Sequence, residues 1–571
     1  MSMVVCQNFK SLSSWYHVSS FGRGGIQIMG GSKTNEEKGR CASCGNEAET
    51  RCTGCRNVFY CGRECQKKGW SDHKDTCRPF AVNKKKDIGR LLVASRDLSV
   101  DDVILCEAPL VMGPKQMTEP VCLGCYKPVT CKYRCSRCSW PMCGPLCEAQ
   151  PDHEPECQVT SAAGVNMEAE MANAGSPLHL YEVVTVLRCL VIASRDSKKW
   201  RASTERLNTR YLKAVGSPQY HHNHEYVVNV LREKFLLHQY PGVDASDAAI
   251  HTALGLLQVN SIPTKTRYGE VQAIYPMSSL LSHSCIPNTK MQWENGRLTV
   301  RASDPIKRGD PITAIFTDIL WGTRARQDHI QQTRLLVCNC KRCQDPTELN
   351  TYFSALKCRR CGGTVLPEKP LDPASPWVCR ECSHQMTTEE VIGTNLALGA
   401  AVEVALTKPS ISSLEALQKE WVQRVHPNHY HLHAVKHSLL QLYGRSKEKA
   451  DEADRDEAHW IEIDKKEKVC KEFLTVCSRL DPSTSHTIPF VGLTFYEYHK
   501  TILQNAQRHF SQAKLTTQQL KKRMLLSKAL LRKALDIFKN EPEDTPEGQL
   551  CITCEEEIIR IGKWMLAVGL V

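Results

Sequence analysis

The sequence predicts an α+β multidomain protein in which a β-rich domain is split by zinc-binding and helical inserts and is followed by an α-helical region. Three observations lead to this fold class. Cysteines cluster at metal-ligand spacings. Short apolar runs bounded by turn residues lie between and beyond those clusters. Apolar residues recur at three- and four-residue steps in 158–258 and 389–571.

The length and the cysteine content set the class of protein. A chain of 571 residues is long enough for several domains. It has no run of about 18 apolar residues, so no membrane span is expected, and its first residues lack the pattern of a secretory signal. We therefore expect the nucleus and cytoplasm, where the 30 cysteines would stay reduced and would serve metal sites rather than disulfides.

The formal net charge of +12 resembles that of a nucleic-acid-binding protein. Zinc-bound cysteines, however, are thiolates. With about 22 thiolates and about six Zn²⁺ ions, the folded protein would carry a charge of only about +2. We therefore expect no direct contact with nucleic acid.

The first cysteine cluster spans residues 41–77. Two C-x2-C pairs are followed by two cysteines, a histidine and a cysteine, enough for two four-coordinate zinc ions. The candidate ligands are Cys41, Cys44, Cys52, Cys55, Cys61, Cys65, His73 and Cys77. We predict interleaved pairing, in which the first and third ligand pairs hold one ion and the second and fourth pairs hold the other.

The second cluster, residues 122–157, repeats the same order of ligands with slightly different spacings, so it is predicted to be an internal repeat. The candidate ligands are Cys122, Cys125, Cys135, Cys138, Cys143, Cys147, His153 and Cys157. Cys131 is left over and is interpreted as a bystander.

Two further sets lie beyond residue 337. Cys338, Cys340 and Cys343 are three close ligands that need a fourth from elsewhere in the chain. Two C-x2-C pairs then predict a zinc ribbon with one ion. The ribbon ligands are Cys358, Cys361, Cys379 and Cys382. The remaining cysteines are interpreted as buried thiols: Cys6, Cys106, Cys189, Cys470, Cys477, Cys551 and Cys554.

Two segments predict the β-rich domain. In 84–112, the runs LLVAS and VILCEAPLV flank a polar turn, which predicts a β-hairpin. In 271–318, the runs RLTVRA and PITAIF are separated by turn residues. A compact β domain split by inserts fits both segments.

These residues carry a family resemblance. The first cluster, with Tyr60 before Cys61 and Trp70 before His73, resembles a MYND finger, and the second cluster resembles another. The runs GRLLVASRDL, SLLSHSCIPN and IKRGDPITAIFTD resemble the strands and the His-Ser-Cys element of a SET domain. A finger between split SET halves identifies the chain as a member of the SET- and MYND-domain family, and the extra finger resembles the arthropod branch.

The resemblance implies a protein-lysine N-methyltransferase that uses S-adenosylmethionine on histone or non-histone proteins, with a role in transcription and chromatin. It implies that Cys285 is the fourth ligand of the zinc site formed by Cys338, Cys340 and Cys343. It also implies that Phe316 occupies the position of the family's catalytic tyrosine. The implied cofactor-binding residues are Gly89, Arg90, Asn260, Ser279, Leu280, Ser282, His283 and Leu336. MYND fingers imply proline-containing peptide partners. We expect a monomer that does not bind membranes.

Four residues depart from the family pattern. Leu91 replaces a glycine, where a Cβ makes positive φ unfavourable. Ser282 replaces an asparagine, Phe316 the tyrosine, and Leu336 an adenine-stacking aromatic residue. Loss of one preorganised donor typically costs about 10²–10³ in rate. The alternative is therefore a catalytically weakened SET scaffold that acts as a zinc-dependent interaction or corepressor module.

The resulting domain hypothesis divides the chain by these signals. The N-terminus is expected to be disordered, and the last part to stack helices in a way that resembles a tetratricopeptide-like array. The parts are 1–40 (disordered), 41–77 (MYND finger), 84–121 (first SET part), 122–157 (second finger), 158–258 (helical insert), 259–337 (SET core), 338–388 (post-SET zinc site and ribbon) and 389–571 (helical domain).

Two runs of histidines are interpreted as structural features rather than as metal sites. The run that contains His221, His222 and His224 is expected to be a solvated loop or a helix start. The later run is expected to cap and pack a helix. Its members are His426, His429, His431 and His433.

Overall fold

The computed structural model describes residues 39–571 apart from 53–57, 86–88, 117, 174–176, 208–215, 295, 446–455, 540, 542, 544, 568 and 571. The N-terminal segment predicted to be disordered lies outside the described residues, except for its last two.

The first finger is a small unit of short strands and helices. Its elements are β1 (Gly39–Arg40), β2 (Glu47–Ala48), β3 (Thr50–Arg51), β4 (Phe59–Tyr60), α1 (Arg63–Lys68) and α2 (Trp70–Cys77). β1 pairs with β2 and β3 pairs with β4, both antiparallel. Its buried core contains Ala48 and Tyr60, and the other buried members are Cys41, Cys52 and Cys77. Ligand residues therefore supply most of the core of this finger.

The predicted hairpin within 84–112 is wrong in its pairing. The strands here are β5 (Phe80–Lys85), β6 (Gly89–Ala94), β7 (Val103–Glu107) and β8 (Val111–Gly113). β6 pairs with β5, whereas β7 pairs with a strand some 190 residues later. The second edge of β6 is occupied, since Ala94 donates to the Asp310 carbonyl and Ile312 donates to the Leu92 carbonyl, each at 2.9 Å. No edge of β6 is left for β7.

The second finger and the helical insert follow. Their elements are β9 (Tyr133–Arg134), β10 (Pro141–Met142), α3 (Pro145–Glu148), α4 (Glu154–Ala162), α5 (Met167–Asn173), α6 (Glu182–Arg195), α7 (Ser197–Thr204), α8 (Pro218–Asn223) and α9 (Asp247–Asn260). Two π-helical turns, His224–Val228 and Val230–Lys234, continue α8. Residues 182–191 of α6 are all buried, so α6 is the central helix of the insert.

The histidine run of the insert is only partly solvated. His221 is exposed. His222 places Nε2 3.1 Å from the carboxylate of Glu182, and the ring of His224 stacks on His251. The predicted helix start is confirmed, since His221 and His222 lie in α8, which begins at Pro218. Solvation extends to His221 but not to His222 and His224, because the turn packs against α6 and α9.

The SET core reunites the two halves of the β domain. Its strands are β11 (Ile262–Thr266), β12 (Gly269–Ile274), β13 (Ser282–His283), β14 (Thr289–Glu294), β15 (Arg297–Ala302) and β16 (Thr313–Ala314). One sheet has the order β11-β12-β8 and another β14-β15-β7. Each sheet joins a strand that precedes the insert to two that follow it, so the predicted split β-rich domain is confirmed.

The remaining chain forms a zinc-ribbon sheet and a helical region. The elements are α10 (Thr323–Arg334), α11 (Lys341–Gln344), β17 (Leu356–Lys357), β18 (Thr364–Pro367), β19 (Trp377–Cys379), β20 (Gln385–Met386), α12 (Thr388–Thr407), α13 (Ile411–Trp421), α14 (Tyr430–Leu442), α15 (Glu457–Leu480), α16 (Ile488–Ser511), α17 (Thr517–Phe538) and α18 (Pro546–Ala567). Neighbouring helices from α15 to α18 pack on one another. The predicted helical C-terminal region is confirmed.

Two helices of this region bear on earlier expectations. α12 is long and apolar enough, by length and composition alone, to cross a membrane, but it also packs through Val391, Leu398 and Val402 on the helices that follow. His429 is the N-cap of α14 and accepts from the backbone of His431. The later histidine run therefore caps and packs a helix, as expected.

Candidate functional site

Among the described residues, four candidate ligands come together in each of five sets. In each set the ligand atoms all lie within 4.8 Å of one another. The sets are Cys41, Cys44, Cys61 and Cys65; Cys122, Cys125, Cys143 and Cys147; Cys135, Cys138, His153 and Cys157; Cys285, Cys338, Cys340 and Cys343; and Cys358, Cys361, Cys379 and Cys382. Groups of four soft ligands at this separation fit tetrahedral Zn²⁺. The first site of the first finger has the predicted ligand pairs, and the second finger shows the same interleaved arrangement at both of its sites.

The second site of the first finger is partly described. The Sγ atoms of Cys52 and Cys77 are 3.6 Å apart, and His73 is buried. Burial lowers the pKa of His73, which favours the neutral ring that a metal requires. The fourth predicted ligand, Cys55, lies outside the described residues, and the total of about six ions remains a prediction.

In the second finger, a carboxylate orients the histidine ligand. His153 Nε2 lies 3.4 Å from Cys138 Sγ, and its Nδ1 lies 3.0 Å from Glu156 Oε1. Glu156 also accepts from Arg188 Nε at 2.8 Å, and Arg188 donates to the carbonyls of Met112 and Leu123. This arrangement fixes the ring tautomer with Nδ1 protonated and Nε2 free for the ion. It also ties the finger to α6.

The zinc site formed by Cys285, Cys338, Cys340 and Cys343 joins the SET core to α10 and α11. Cys285 Sγ lies 3.5 Å from Cys343 Sγ and accepts from Arg326 Nε at 3.1 Å. Side-chain hydrogen bonds from Cys338 and its neighbours hold the pKa of Cys285 far below its usual range, with Arg326 contributing. Glu348 pairs with Arg326 at 2.8 Å. A buried cation thus offsets the excess negative charge that four thiolates leave on one Zn²⁺.

His283 connects this zinc site to Phe316, which lies two residues after β16. Its Nδ1 accepts from the backbone N–H of Phe316 at 3.1 Å. Its Nε2 lies 3.4 Å from Cys285 Sγ. With Nδ1 as acceptor, Nε2 carries the proton and donates to the thiolate. β13 and β16 pair in parallel beside it, with Ser282 opposite Thr313.

A buried carboxylate shapes the turn that precedes β13. Glu107 accepts from the backbone N–H groups of Met277, at 2.9 Å, and Ser278, at 3.0 Å. Burial raises the pKa of Glu107, while these hydrogen bonds act against the rise. The next residue, Ser279, donates its hydroxyl to the carbonyl of Asn260 at 2.8 Å. The turn residues Ser278–Leu280 are therefore held against the end of α9.

The first predicted cofactor segment lies against that turn. β6 contacts Ser278–Leu280. Gly89 has φ +87°, and apart from its chain neighbours no atom of the described residues lies within 4 Å of where its Cβ would be. Leu91 lies in the extended strand and is 1% exposed. Leu91 therefore needs no positive φ, which Gly89 takes instead. Arg90 points away to donate to the Glu205 carbonyl at 2.9 Å.

Phe316 faces an arginine that the sequence patterns did not single out. The Cζ atom of Arg334 lies 4.0 Å from the centre of the Phe316 ring. Arg334 also donates to the carbonyls of Val259, at 2.6 Å, and Ser261, at 2.7 Å. It is the last residue of α10, and Leu336 follows two positions later, half-buried. Residues 259–261, Phe316 and Arg334 therefore meet at one place.

The polar groups present fit a nucleoside cofactor in part. Ser282 Oγ is buried and has no hydrogen-bond partner among the described residues, which indicates an outside partner. The open space beside Gly89 allows a ligand to approach the backbone. Asn260 fits less well, since its amide donates back into α9, to the Leu256 carbonyl at 3.0 Å.

Comparison with known proteins agrees with this architecture. The family model of the MYND finger matches residues 41–77. That of the SET domain matches residues 89–316. The chain is a SET- and MYND-domain protein. Over 323 residues it is 28% identical to SET domain-containing protein SmydA-8, isoform A, of Drosophila melanogaster, covering 53% of this chain and 65% of that protein. The chain thus spans just under two thirds of this relative.

Other relatives of this SET- and MYND-domain protein are named as methyltransferases. Histone-lysine N-methyltransferase ASHR1 of Arabidopsis thaliana is 24% identical over 75% of this chain and 87% of its own length. N-lysine methyltransferase SMYD2 of Homo sapiens is 32% identical over 71 residues, 12% of this chain and 16% of that protein. A solved structure titled as the SET domain of LSMT bound to lysine and AdoHcy covers 76% of this chain and 92% of its own at 12% identity, with a TM-score of 0.28, too low to support any argument.

Several functional groups escaped the sequence patterns. Glu156, Arg188, Arg326 and Arg334 lie in no motif, and each acts on residues distant in sequence. The spacing of Glu156, three residues after His153, was the one local signal available. The predicted residues Asn260 and Ser279 are in contact, as are His283 and Phe316.

Proposed function

We propose that this protein is an S-adenosylmethionine-dependent protein-lysine N-methyltransferase that acts on histone or non-histone proteins. The observation that carries the proposal is the position of His283, which lies in β13 beside its parallel partner β16 and contacts both Phe316 and the zinc ligand Cys285. The relatives named as lysine methyltransferases support the reaction class.

Each residue of the pocket has a distinct part in this function. The cofactor, when bound, supplies an electrophilic methyl group. Gly89 leaves room for it, and Ser282 Oγ offers a free hydrogen-bonding group. His283 fixes the backbone of Phe316. Phe316 gives an apolar channel end without a hydroxyl, so we expect turnover about 10²–10³ below that of a tyrosine-bearing site.

A second candidate is a zinc-dependent interaction module with little or no turnover. The specific observation in its favour is the Arg334 guanidinium on the Phe316 ring, in the place proposed for the lysine amine. In this role the two fingers recruit proline-containing peptides, such as those of transcriptional corepressors. In either role we propose a monomer of nucleus and cytoplasm that controls transcription through protein contacts rather than nucleic acid.

The test is methyl transfer from tritiated S-adenosylmethionine to histones and lysine peptides by the zinc-loaded full chain. We expect slow incorporation that rises about tenfold or more in Phe316→Tyr, which restores the donor. Phe510→Tyr, on an exposed position of α16, is the matched control and should change nothing. No incorporation by the wild type or Phe316→Tyr, with peptide binding retained, would leave the interaction module as the function.

A further inference from the structure

Arg334 is held by hydrogen bonds to backbone carbonyls rather than by an ion pair. Its two terminal nitrogens donate to the carbonyls of Val259 and Ser261, which flank Asn260. Its guanidinium covers the face of Phe316. The side chain therefore spans two segments that the family resemblance assigns to the cofactor pocket and to the lysine channel.

The charge of Arg334 has no carboxylate partner among the residues that the structure describes. The other arginines buried to this degree do have one: Arg188 pairs with Glu156, and Arg326 and Arg342 pair with Glu348. Arg334 is 8% exposed. Burial lowers its pKa to about 10, which still leaves it charged at neutral pH.

A buried cation without a carboxylate partner changes which ligands can bind beside it. The aromatic face that could attract a lysine ammonium is already occupied by a guanidinium. Like charges repel strongly where water is excluded, because the effective dielectric constant is low. A sulfonium and an ammonium are both cations, whereas the thioether left after methyl transfer is neutral.

We propose that Arg334 is the specificity-determining cation of this SET pocket, selecting the neutral thioether S-adenosylhomocysteine over the sulfonium S-adenosylmethionine and disfavouring the substrate lysine while it is an ammonium. The proposal rests on the proposed function, since it takes the pocket to be the S-adenosyl site. Under it, low turnover has two causes that can be separated: the missing hydroxyl of Phe316 and the resident charge of Arg334.

The experiment measures binding, so it needs no turnover. Isothermal titration of the zinc-loaded full chain with each ligand gives two dissociation constants. We expect S-adenosylhomocysteine to bind at least about tenfold more tightly than S-adenosylmethionine to the wild type. In Arg334→Gln and Arg334→Met, which are neutral and of similar length, S-adenosylmethionine should gain about tenfold while S-adenosylhomocysteine changes little.

Two controls separate charge from structure. Arg334→Lys keeps the charge and should keep the wild-type preference. Arg324→Gln removes a positive charge from the exposed start of the same helix and should also leave the preference unchanged. Zinc content and circular dichroism report folding. If the neutral variants fail to fold, the wild-type ratio decides alone, because a ratio near one overturns the proposal.

The remaining outcomes distinguish this inference from the proposed function. Binding of both ligands with a preference unaltered in folded Arg334→Gln overturns the role of Arg334 and leaves the methyltransferase proposal standing. Binding of neither ligand by the wild type or by any folded variant overturns both.

Discussion

At the scale of single residues, the buried arginines of this protein serve two purposes. Arg188 and Arg326 each reach a zinc ligand set, one through Glu156 and one directly at Cys285 Sγ. Each pairs with a glutamate. Within the described part of the chain, the partners of Arg334 are two carbonyls and an aromatic ring. The first two hold the metal sites in shape, and Arg334 sets the charge of the pocket.

The link from Arg188 through Glu156 to His153 gives the first prediction. Glu156→Gln leaves Arg188 as an unpaired buried cation, which costs about 3–5 kcal/mol of unfolding free energy. It also removes the charge that orients His153, so zinc affinity of the second finger should fall about 10–100-fold. Urea unfolding and competition with a chromogenic chelator measure the two effects.

The matched control is Glu154→Gln on the same helix. Glu154 pairs with Arg195 at 3.2 Å, with both side chains more than 40% exposed. An exposed pair of this kind contributes under about 1 kcal/mol. Equal effects of the two substitutions would show that the buried carboxylate has no special role at His153.

At the scale of elements, α14 is held by uncharged histidines. His431 is 2% exposed, and its ring lies against that of Tyr430 with 4.1 Å between centroids and a tilt of 34°. Burial lowers its pKa to about 3, and His429 and His433 shift in the same direction for the same reason. The helix therefore contributes most stability when these rings are neutral.

This gives a pH prediction of defined sign. The folded pKa of His431, about 3, lies below its unfolded value of about 6.5. Its contribution is therefore complete above pH 6.5 and is lost as the pH falls from 6.5 towards 3. At pH 5 the loss reaches about 2 kcal/mol for this one group.

The measurement is urea unfolding at pH 7.5 and pH 5 for the wild type and His431→Gln. Between the two pH values, the free energy of unfolding of the variant should fall by about 2 kcal/mol less than that of the wild type, because the variant has no ring to protonate. Acid effects on the zinc sites are common to both proteins and cancel in the comparison. His238→Gln, at an exposed position, is the control. An identical pH response of the wild type and His431→Gln would contradict the account.

The elements also show what the sequence could and could not predict. Ligand spacings are local, so pairing within each finger and the ribbon followed from them. The pairing of β7 with β15 could not be predicted in this way, because residues 310–312, which are distant in sequence, occupy the edge of β6 that β7 would have needed. The contact between Arg334 and Phe316 depends on how α10 returns to the sheet, which no local periodicity encodes.

At the scale of the whole molecule, zinc replaces a hydrophobic core in some parts and supplements one in others. The first finger has a core made largely of ligand residues. The second finger shares the large core of the SET domain and the insert. The helical region has its own apolar core, shared with the ribbon strands. Stability should therefore depend on metal most strongly at the N-terminal end.

Chelation gives the prediction at this scale. Metal-binding free energy is folding free energy in such fingers. A strong chelator should therefore unfold residues 41–157, while the amide hydrogens of the helices after residue 411 stay protected from exchange. Hydrogen exchange followed by mass spectrometry resolves the two regions. A thermal melt by circular dichroism that is unchanged after complete zinc removal would contradict this dependence.

The central claim is that Gly89, Ser282, Phe316 and Arg334 surround the S-adenosyl site of this SET domain. Its most direct test is a crystal structure of the zinc-loaded chain with S-adenosylhomocysteine at saturating concentration. The account predicts ligand density beside Gly89, with a hydrogen bond to Ser282 Oγ and Arg334 still on the Phe316 ring. Clear density for these residues with no ligand among them would contradict it.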